Sequence, residues 1–261
     1  MSRSGYYQWC TTKDIPDGDY EDFLLIESIF LKGKRKYGWR TIRMHLETKG
    51  ILMNHKKIQR IMQKYGLVAK IRRRNPYKDI MKKTQEHCVA PNVLSRQFVQ
   101  PTPYKVLCTD ITYIKFHHRF VYLSTIKDIC SGEIVAWYLD RSLHRPLVGE
   151  TMKQLGKLNL EYCILHSDQG WHYTHPEHIK TLASLDMTQS MSRKGRCIDN
   201  APMESFFGHF KDEIEYMDCE TFEELKQRID EYMYYYNHER KQWSRNKMTP
   251  IQYRDHMLSL Q

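Results

Sequence analysis

Three things are scarce in this 261-residue chain. Long apolar runs are the first: the best, FLLIESIFL from Phe23, carries Glu27 and falls far short of the roughly 20 apolar residues a membrane helix needs. The amino terminus, MSRSGYYQWC, also lacks the order of a cleavable signal, so a cytosolic protein with no membrane partner is expected. Paired cysteines are the second. The seven, Cys10, Cys88, Cys108, Cys130, Cys163, Cys197 and Cys219, are odd in number and none stands at C-x-x-C spacing, which argues against a disulfide framework and a zinc knuckle. Internal repeats and low-complexity tracts are the third; none is evident.

What is present is a core and a concentrated positive charge. Hydrophobic residues make up 41% of the chain, enough for one large domain and a small one. The net charge is +10, but Lys32 to Lys83 holds 18 basic residues against Glu47 and Asp79, a net of +16, which leaves the remainder at −6. Such a block is the footprint of a polyanion partner, most often nucleic acid; the plainer reading is a solvated face.

Between Tyr20 and Leu67 apolar residues recur at helical spacing in three blocks: about Tyr20 to Lys36, a second with Ile42 and Leu46 ending at Lys49-Gly50, and a third begun by Asn54 as cap and ending at Gly66. Three short helices, the last carrying Lys56, Lys57, Arg60 and Lys64, form the pattern of a helix-turn-helix module over residues 1–69. The third helix is the one expected in a DNA groove. Residues 70–103, with Arg72, Arg73 and Arg74 and then Pro91, Pro101 and Pro103, read as a basic linker. From Tyr104 to the end the grammar is that of a second domain: three β-rich segments in a meander, a helix from about Pro146 to Leu158, a strand in EYCILHSD and a helix after Pro176. This predicts a mixed sheet flanked by helices, an α/β or α+β layer fold, with the strand at 162–167 parallel to the first.

Carboxylates interrupt that pattern. Asp110 lies inside the strand sequence LCTDITYI, Asp168 closes CILHSD, and Glu204 sits in the first turn of an amphipathic helix, CIDNAPMESFFGHFKDE, whose buried stripe is Phe206, Phe207 and Phe210. Asn200 or Asp199 is expected to cap that helix, with Pro202 in its first turn. If the two strands are parallel neighbours, Asp110 and Asp168 reach one point at the sheet edge and Glu204 is presented nearby. Three converging carboxylates repel unless a cation holds them, and all-oxygen ligation suits Mg²⁺ or Mn²⁺. Two such ions about 3.5–4 Å apart are the clamp used in phosphodiester displacement. Lys211, two turns after Glu204 on the same face, can meet a phosphate. Each residue alone has a plain reading as a strand-edge group, a turn former, a dipole-favoured glutamate or a solvated lysine; the combination is what points to catalysis.

These segments, TDITYI, HSDQGWHYT, SMSRKG, DNAPMESFFGHFKDE and YYNHERKQWSRNKMTPIQYR, together resemble the second-reading-frame product (OrfB) of the IS-three class of bacterial insertion-sequence transposases, relatives of retroviral integrases. The resemblance spans nearly the whole chain. It implies an RNase H-like core with a five-stranded mixed sheet, an Asp-Asp-Glu triad at Asp110, Asp168 and Glu204, and an accessory helix-turn-helix ahead of it. It implies metal-dependent cleavage at an element end and attack of the freed 3′-hydroxyl on another strand, in the bacterial cytoplasm. The partners implied are double-stranded DNA, as element ends and target, and other copies of the chain on DNA. Leu107 stands where many relatives have tryptophan. The chain begins at MSRSGYYQW, whereas the full transposase of such elements is a fusion with an upstream reading-frame product that recognises the terminal repeats.

Several further residues invite a role. His166 shares a strand face with Asp168, and orients water or phosphate or simply packs. His172, His175 and His178 are too irregularly spaced, across Pro176, to suggest zinc. Gly170, Trp171 and Tyr173 form a loop able to touch unpaired bases. Arg193 and Lys194, beside Gly195, are a phosphate contact or an ordinary solvated loop. In the last long helix Thr221 and Glu224 make a capping box over a structural stripe of Phe222, Leu225, Ile229 and Tyr236, and Arg240 and Lys241 are within reach of target DNA. Two readings compete with a transposase: a catalytically silent DNA-binding regulator of transposition, and an RNA-cleaving RNase H-like enzyme.

Overall fold

The computed structural model describes residues 2–12, 18–70, 89–144, 146–158, 160 and 162–260. The chain divides into two compact units, Met1–Ile71 and Arg72–Gln261. Among the described residues no helix is long and apolar enough to cross a membrane.

The first unit opens with α1 (Arg3–Thr12) and is built on α2 (Tyr20–Lys32), α3 (Trp39–Thr48) and α4 (His55–Lys64). Ile26, Ile29 and Phe30 of α2 meet Ile42 and Leu46 of α3 and Ile58, Ile61 and Met62 of α4 in one buried cluster. The three helical blocks are thus where the periodicity puts them. The first ends four residues earlier than expected, because Gly33 is followed by Lys34 and Arg35 in the left-handed region (φ 51° and 62°) and the Arg35 N–H closes back on the Phe30 carbonyl. Gly33 itself is required: a Cβ there would lie 2.3 Å from the Tyr37 ring. Asn54 caps α4, its side-chain oxygen accepting from the Lys56 N–H at 2.9 Å.

The second unit is a five-stranded mixed sheet in the order β3-β2-β1-β4-β5. Its strands are β1 (Val106–Phe116), β2 (Arg119–Asp128), β3 (Ile134–Asp140), β4 (Ile164–Ser167) and β5 (Thr188–Met191). β1, β2 and β3 form the expected antiparallel meander, and β4 and β5 continue the sheet in parallel. The crossover from β3 to β4 runs through α5 (Pro146–Lys153) and a 3-10 turn; α6 (Trp171–Thr174) and α7 (Pro176–Ser184) lead into β5. After β5 come α8 (Ala201–Glu213), α9 (Phe222–His238) and α10 (Pro250–Ser259).

Strand alternation divides the interior into two layers. Cys108, Val121 and Leu123 face α8 and α9, where Phe206, Phe207, Phe210, Leu225, Ile229 and Tyr236 are packed. Leu107, Ile126 and Leu165 face the other way, against Val148, Met152, Tyr173 and Leu182. Residues from 89 onward, read from the sequence as linker, pack on this unit: Leu94 is buried and its N–H donates to Ser190 Oγ at 3.1 Å. Buried Leu94 and the side-chain bonds of Asn92 and Arg96 to Asp199 hold that segment, contacts made far along the chain that leave no local periodicity. At α9 the Thr221 side chain caps as expected, accepting from the Glu224 N–H, and the Glu224 carboxylate also accepts from the Glu220 N–H. A complete capping box is found at α10, between Thr249 and Gln252.

Candidate active site

Register sets the first two carboxylates. β1 and β4 run parallel with Val106 opposite Ile164, Leu107 opposite Leu165 and Cys108 opposite His166. Asp110, still inside β1, and Asp168, just past the end of β4, each lie two residues beyond the last pair, at the same level and on the same face. Each is fixed by a backbone donor: the Ile111 N–H donates to Asp110 Oδ1 and the Gly170 N–H to Asp168 Oδ1, both at 2.8 Å. Gly170 is tight against this arrangement, since a Cβ there would lie 2.9 Å from Asp168 Oδ1.

Electrostatically the pair is uncomfortable. Loss of surrounding water raises the Asp110 carboxyl, the neighbouring Asp168 raises it further, and Glu204 adds to the same effect; the Ile111 N–H and Lys211 oppose it. Asp168, although its side chain reaches solvent, is raised by the protein packed around it and lowered by the Gly170 N–H. Beneath them lies Tyr173, fully buried, its hydroxyl 3.4 Å from Thr109 Oγ1 and its phenol pushed upward by burial and then by both aspartates. A surface role for Tyr173 is therefore excluded; it is a floor of the site.

Glu204 stands exposed in the first turn of α8 while Met203, Phe206, Phe207 and Phe210 anchor the helix below. The start of α8 is not capped as expected. Asn200 occupies the cap position, but its side chain makes no capping bond; it donates instead to the Thr109 carbonyl at 3.4 Å, tying the helix to the residue before Asp110. A cap is dispensable there because the 3-10 turn Cys197–Asn200 runs directly into α8 and the Ala201 N–H is satisfied by the Ile198 carbonyl. Asp199 is buried and serves another purpose. Its carboxylate accepts from Arg193 Nε (2.8 Å), Arg193 Nη2 (3.0 Å), the Arg193 N–H (3.1 Å), Arg96 Nε (2.6 Å) and Asn92 Nδ2 (3.3 Å). Arg193 above all holds this carboxyl well below the ordinary aspartate range. Sequence reasoning missed this clamp, because Asn92 and Arg96 come from a stretch about a hundred residues before Asp199.

The other expected site residues are distributed differently. Lys211 lies 4.6 Å from the Tyr113 ring centroid and close enough to influence Asp110. Arg193 is committed to Asp199, whereas Lys194 is exposed beside Gly195. His166 shares a strand face with Asp168 but does not line the opening beside the carboxylates. It is fully buried, its Nδ1 is 2.9 Å from Ser190 Oγ, and burial lowers its pKa, so it is a packed core histidine. On α4, Lys57 pairs with Asp22, and Arg60 and Lys64 pair with Asp19 at 2.6 and 3.5 Å, while Lys56 is exposed. Arg72, Arg73 and Arg74 lie outside the described residues. Arg240 is bound to Glu213 rather than offered outward. The described cysteines are unpaired with one another, and His175 caps α7 by accepting from the Glu177 N–H. Among the described residues, no three His, Cys, Asp or Glu side chains are already drawn together as an ion would hold them. The assembled part of the site is the Asp110–Asp168 pair.

Comparison with known proteins finds relatives of both units. The family described as Integrase core domain matches residues 100–197, a second family of that description matches residues 204–258, and an HTH-like domain matches residues 19–75. A transposase-like protein of Haemophilus influenzae is 42% identical, covering 80% of this chain and 96% of its own. InsK, named for insertion sequence element IS150 of Escherichia coli K12, is 35% identical over 98% of this chain and 90% of its own. The transposase of IS904 from Lactococcus lactis is 35% identical over 82% and 86%. Among solved structures, the HTLV-2 integrase catalytic core domain in complex with magnesium (trimeric form) superposes with a TM-score of 0.50 at 16% identity, covering 59% of this chain and 97% of that one. A simian T-cell lymphotropic virus intasome gives 0.55 at 13% identity, over 81% and 70%. The fold of the second unit is the RNase H-like fold of these cores.

Proposed function

This chain belongs to the integrase-core transposases of bacterial insertion sequences, and we propose that Asp110, Asp168 and Glu204 are the carboxylates with which it breaks and joins DNA strands. Membership makes it a DNA transposition protein of the polynucleotidyl transferase class. The observation that carries the finer reading is the in-phase register of β1 and β4, which sets Asp110 beside Asp168 despite the cost visible in their raised pKa values. A fold that tolerates such a pair has a use for it.

The donors fit a hard divalent cation in kind. Asp110 and Asp168 present carboxylate oxygens, their mutual repulsion is relieved by positive charge, and Glu204 is the third donor by position. When bound, one or two Mg²⁺ or Mn²⁺ ions polarise the phosphate and activate the attacking oxygen. The chain's own residues do the rest. The Ile111 and Gly170 N–H groups fix the orientation of the two aspartates, and Asn200 and the Asp199 clamp fix the start of the helix that carries Glu204. Lys211, near Asp110, is a cation for the phosphate that the carboxylates would otherwise repel. The first unit supplies contact with double-stranded DNA through Lys56 and its basic surroundings. Element ends, target DNA, further copies of the chain and the upstream reading-frame product are the partners, in the bacterial cytoplasm.

The test is incubation of the purified chain with a radiolabelled duplex carrying the element's end and Mn²⁺, beside Glu204→Gln and an EDTA control. Nicked or strand-transfer products that vanish in both controls are expected. Products that persist in Glu204→Gln would remove that residue from the chemistry.

A further inference from the structure

A cavity of about 620 Å³ opens beside the carboxylate pair, and the reading of its walls rests on the function proposed above. Asp110 and Asp168 form one part of its lining; most of the remainder is aromatic or aliphatic, including Tyr113, Phe120, Leu143 and Trp171. All four of these side chains are substantially exposed, Phe120 by half. Two aromatic pairs line the one space. Tyr113 of β1 and Phe120 of β2 meet edge to face with centroids 5.3 Å apart, and Trp171 of α6 lies over His172 at 3.8 Å. Burial pushes His172 down to about 4, so at neutral pH its ring is uncharged.

Exposed aromatic faces next to a phosphate-handling pair have a clear chemical complement. A nucleobase is flat, carries a π-face, and hangs from the sugar adjoining the phosphate, so a base next to the reacting phosphate falls within reach of this cavity. We propose that the cavity receives one unstacked nucleobase of the strand being processed, held against Trp171 on one wall and the Tyr113–Phe120 pair on the other. Stacking on such faces is tolerant of base identity, so the site is expected to take any base. Unpaired or mispaired bases enter most easily, since they are the least costly to extrude. Tyr173, grouped with Trp171 in the sequence, also lines the cavity, but as a buried floor with no exposed face to offer a base.

The test uses the full chain carrying Asp110→Asn and Asp168→Asn together, so that phosphate approaches without a metal and no strand is cut. The probe is a Y-shaped duplex in which 2-aminopurine is moved one nucleotide at a time through the junction, with total binding followed by anisotropy of an end label. A protein-dependent fluorescence change confined to one or two adjacent positions is expected, retained in Trp171→Phe and lost in Trp171→Ala. The Ala change should also weaken binding of the branched probe by about tenfold while leaving the fully paired duplex unaffected. Phe120→Ala, on the opposite wall, should give the same loss without touching α6, with circular dichroism to check folding of both. A signal spread over all positions, or one that survives both Ala variants, overturns the pocket. Because this readout needs neither metal nor cleavage, base capture by a chain that never cleaves in the Mn²⁺ assay would sink the catalytic reading alone. Cleavage without a position-specific signal would sink the pocket alone.

Discussion

The two units treat charge in opposite ways. In the helical unit, cations of α4 are answered from within: Lys57 by Asp22, Arg60 and Lys64 by Asp19. In the sheet unit, two carboxylates are set side by side and lifted above their ordinary pKa by lost hydration, Asp110 also by its neighbour Asp168. The same unit shows that it can balance a buried acid when structure alone is at stake, for Asp199 has two arginines. Balanced charge holds shape; charge left in conflict marks the place where something else is meant to bind.

The sharpest way to break this comparison is to remove the conflict. Asp110→Asn should abolish Mn²⁺-dependent cleavage, by about a thousandfold or more if the ion supplies several kcal/mol. The same change should raise the urea midpoint of the metal-free protein at neutral pH. The sign follows from linkage. Between the ordinary aspartate pKa and the raised folded value, the unfolded chain has released a proton that the folded chain keeps, so stability falls as pH rises and levels off above the folded pKa. Urea titrations from pH 4 upward should show that decline in the parent and a flatter profile in Asp110→Asn.

Asp199→Asn is the complementary case and should do the reverse. Its contribution to stability is fully present above the ordinary aspartate pKa and is lost as pH falls toward the depressed folded value. The variant should therefore unfold at lower urea at neutral pH, the deficit shrinking in acid. If the clamp positions Glu204, cleavage should lose kcat with little change in KM for DNA.

The smallest effect lies in the helical unit. Asp19→Asn removes exposed ion pairs, so stability should move by no more than about 1 kcal/mol. Binding of duplex DNA at low salt, followed by anisotropy, should strengthen by up to about fivefold as Arg60 and Lys64 turn to phosphate. Unchanged binding would mean that these two face away from DNA and that Lys56 marks the contacting side.

Much of the fold is legible in the chain because it is written in short-range periods. Ile26, Ile29 and Phe30, or Phe206, Phe207 and Phe210, declare a buried helical stripe within a few residues, and the β-rich segments from Tyr104 declare a meander. The carboxylates stand out for the same reason, as breaks in a local pattern. What stays hidden depends on partners far along the chain. Arg60 reaches Asp19 across 41 positions and Arg96 reaches Asp199 across 103, so neither pairing leaves a mark on its neighbours in sequence. The burial of Tyr173 is hidden likewise, because only the packed sheet shows which side of its short helix turns inward. The capping box of Thr249 and Gln252, by contrast, is a four-residue pattern that was there to be read.

The parallel pairing of β1 and β4 also acts as a parity check on length. Insertion of one residue between His166 and Asp168 turns the second aspartate to the opposite side of the sheet, however conservative the residue. Added chain in the loop between α5 and β4 leaves the count from Cys108 and His166 to their aspartates untouched, whatever its length. The site is thus indifferent to how far apart Asp110 and Asp168 lie in the chain and strict about the two steps that separate each from the last paired residue of its strand.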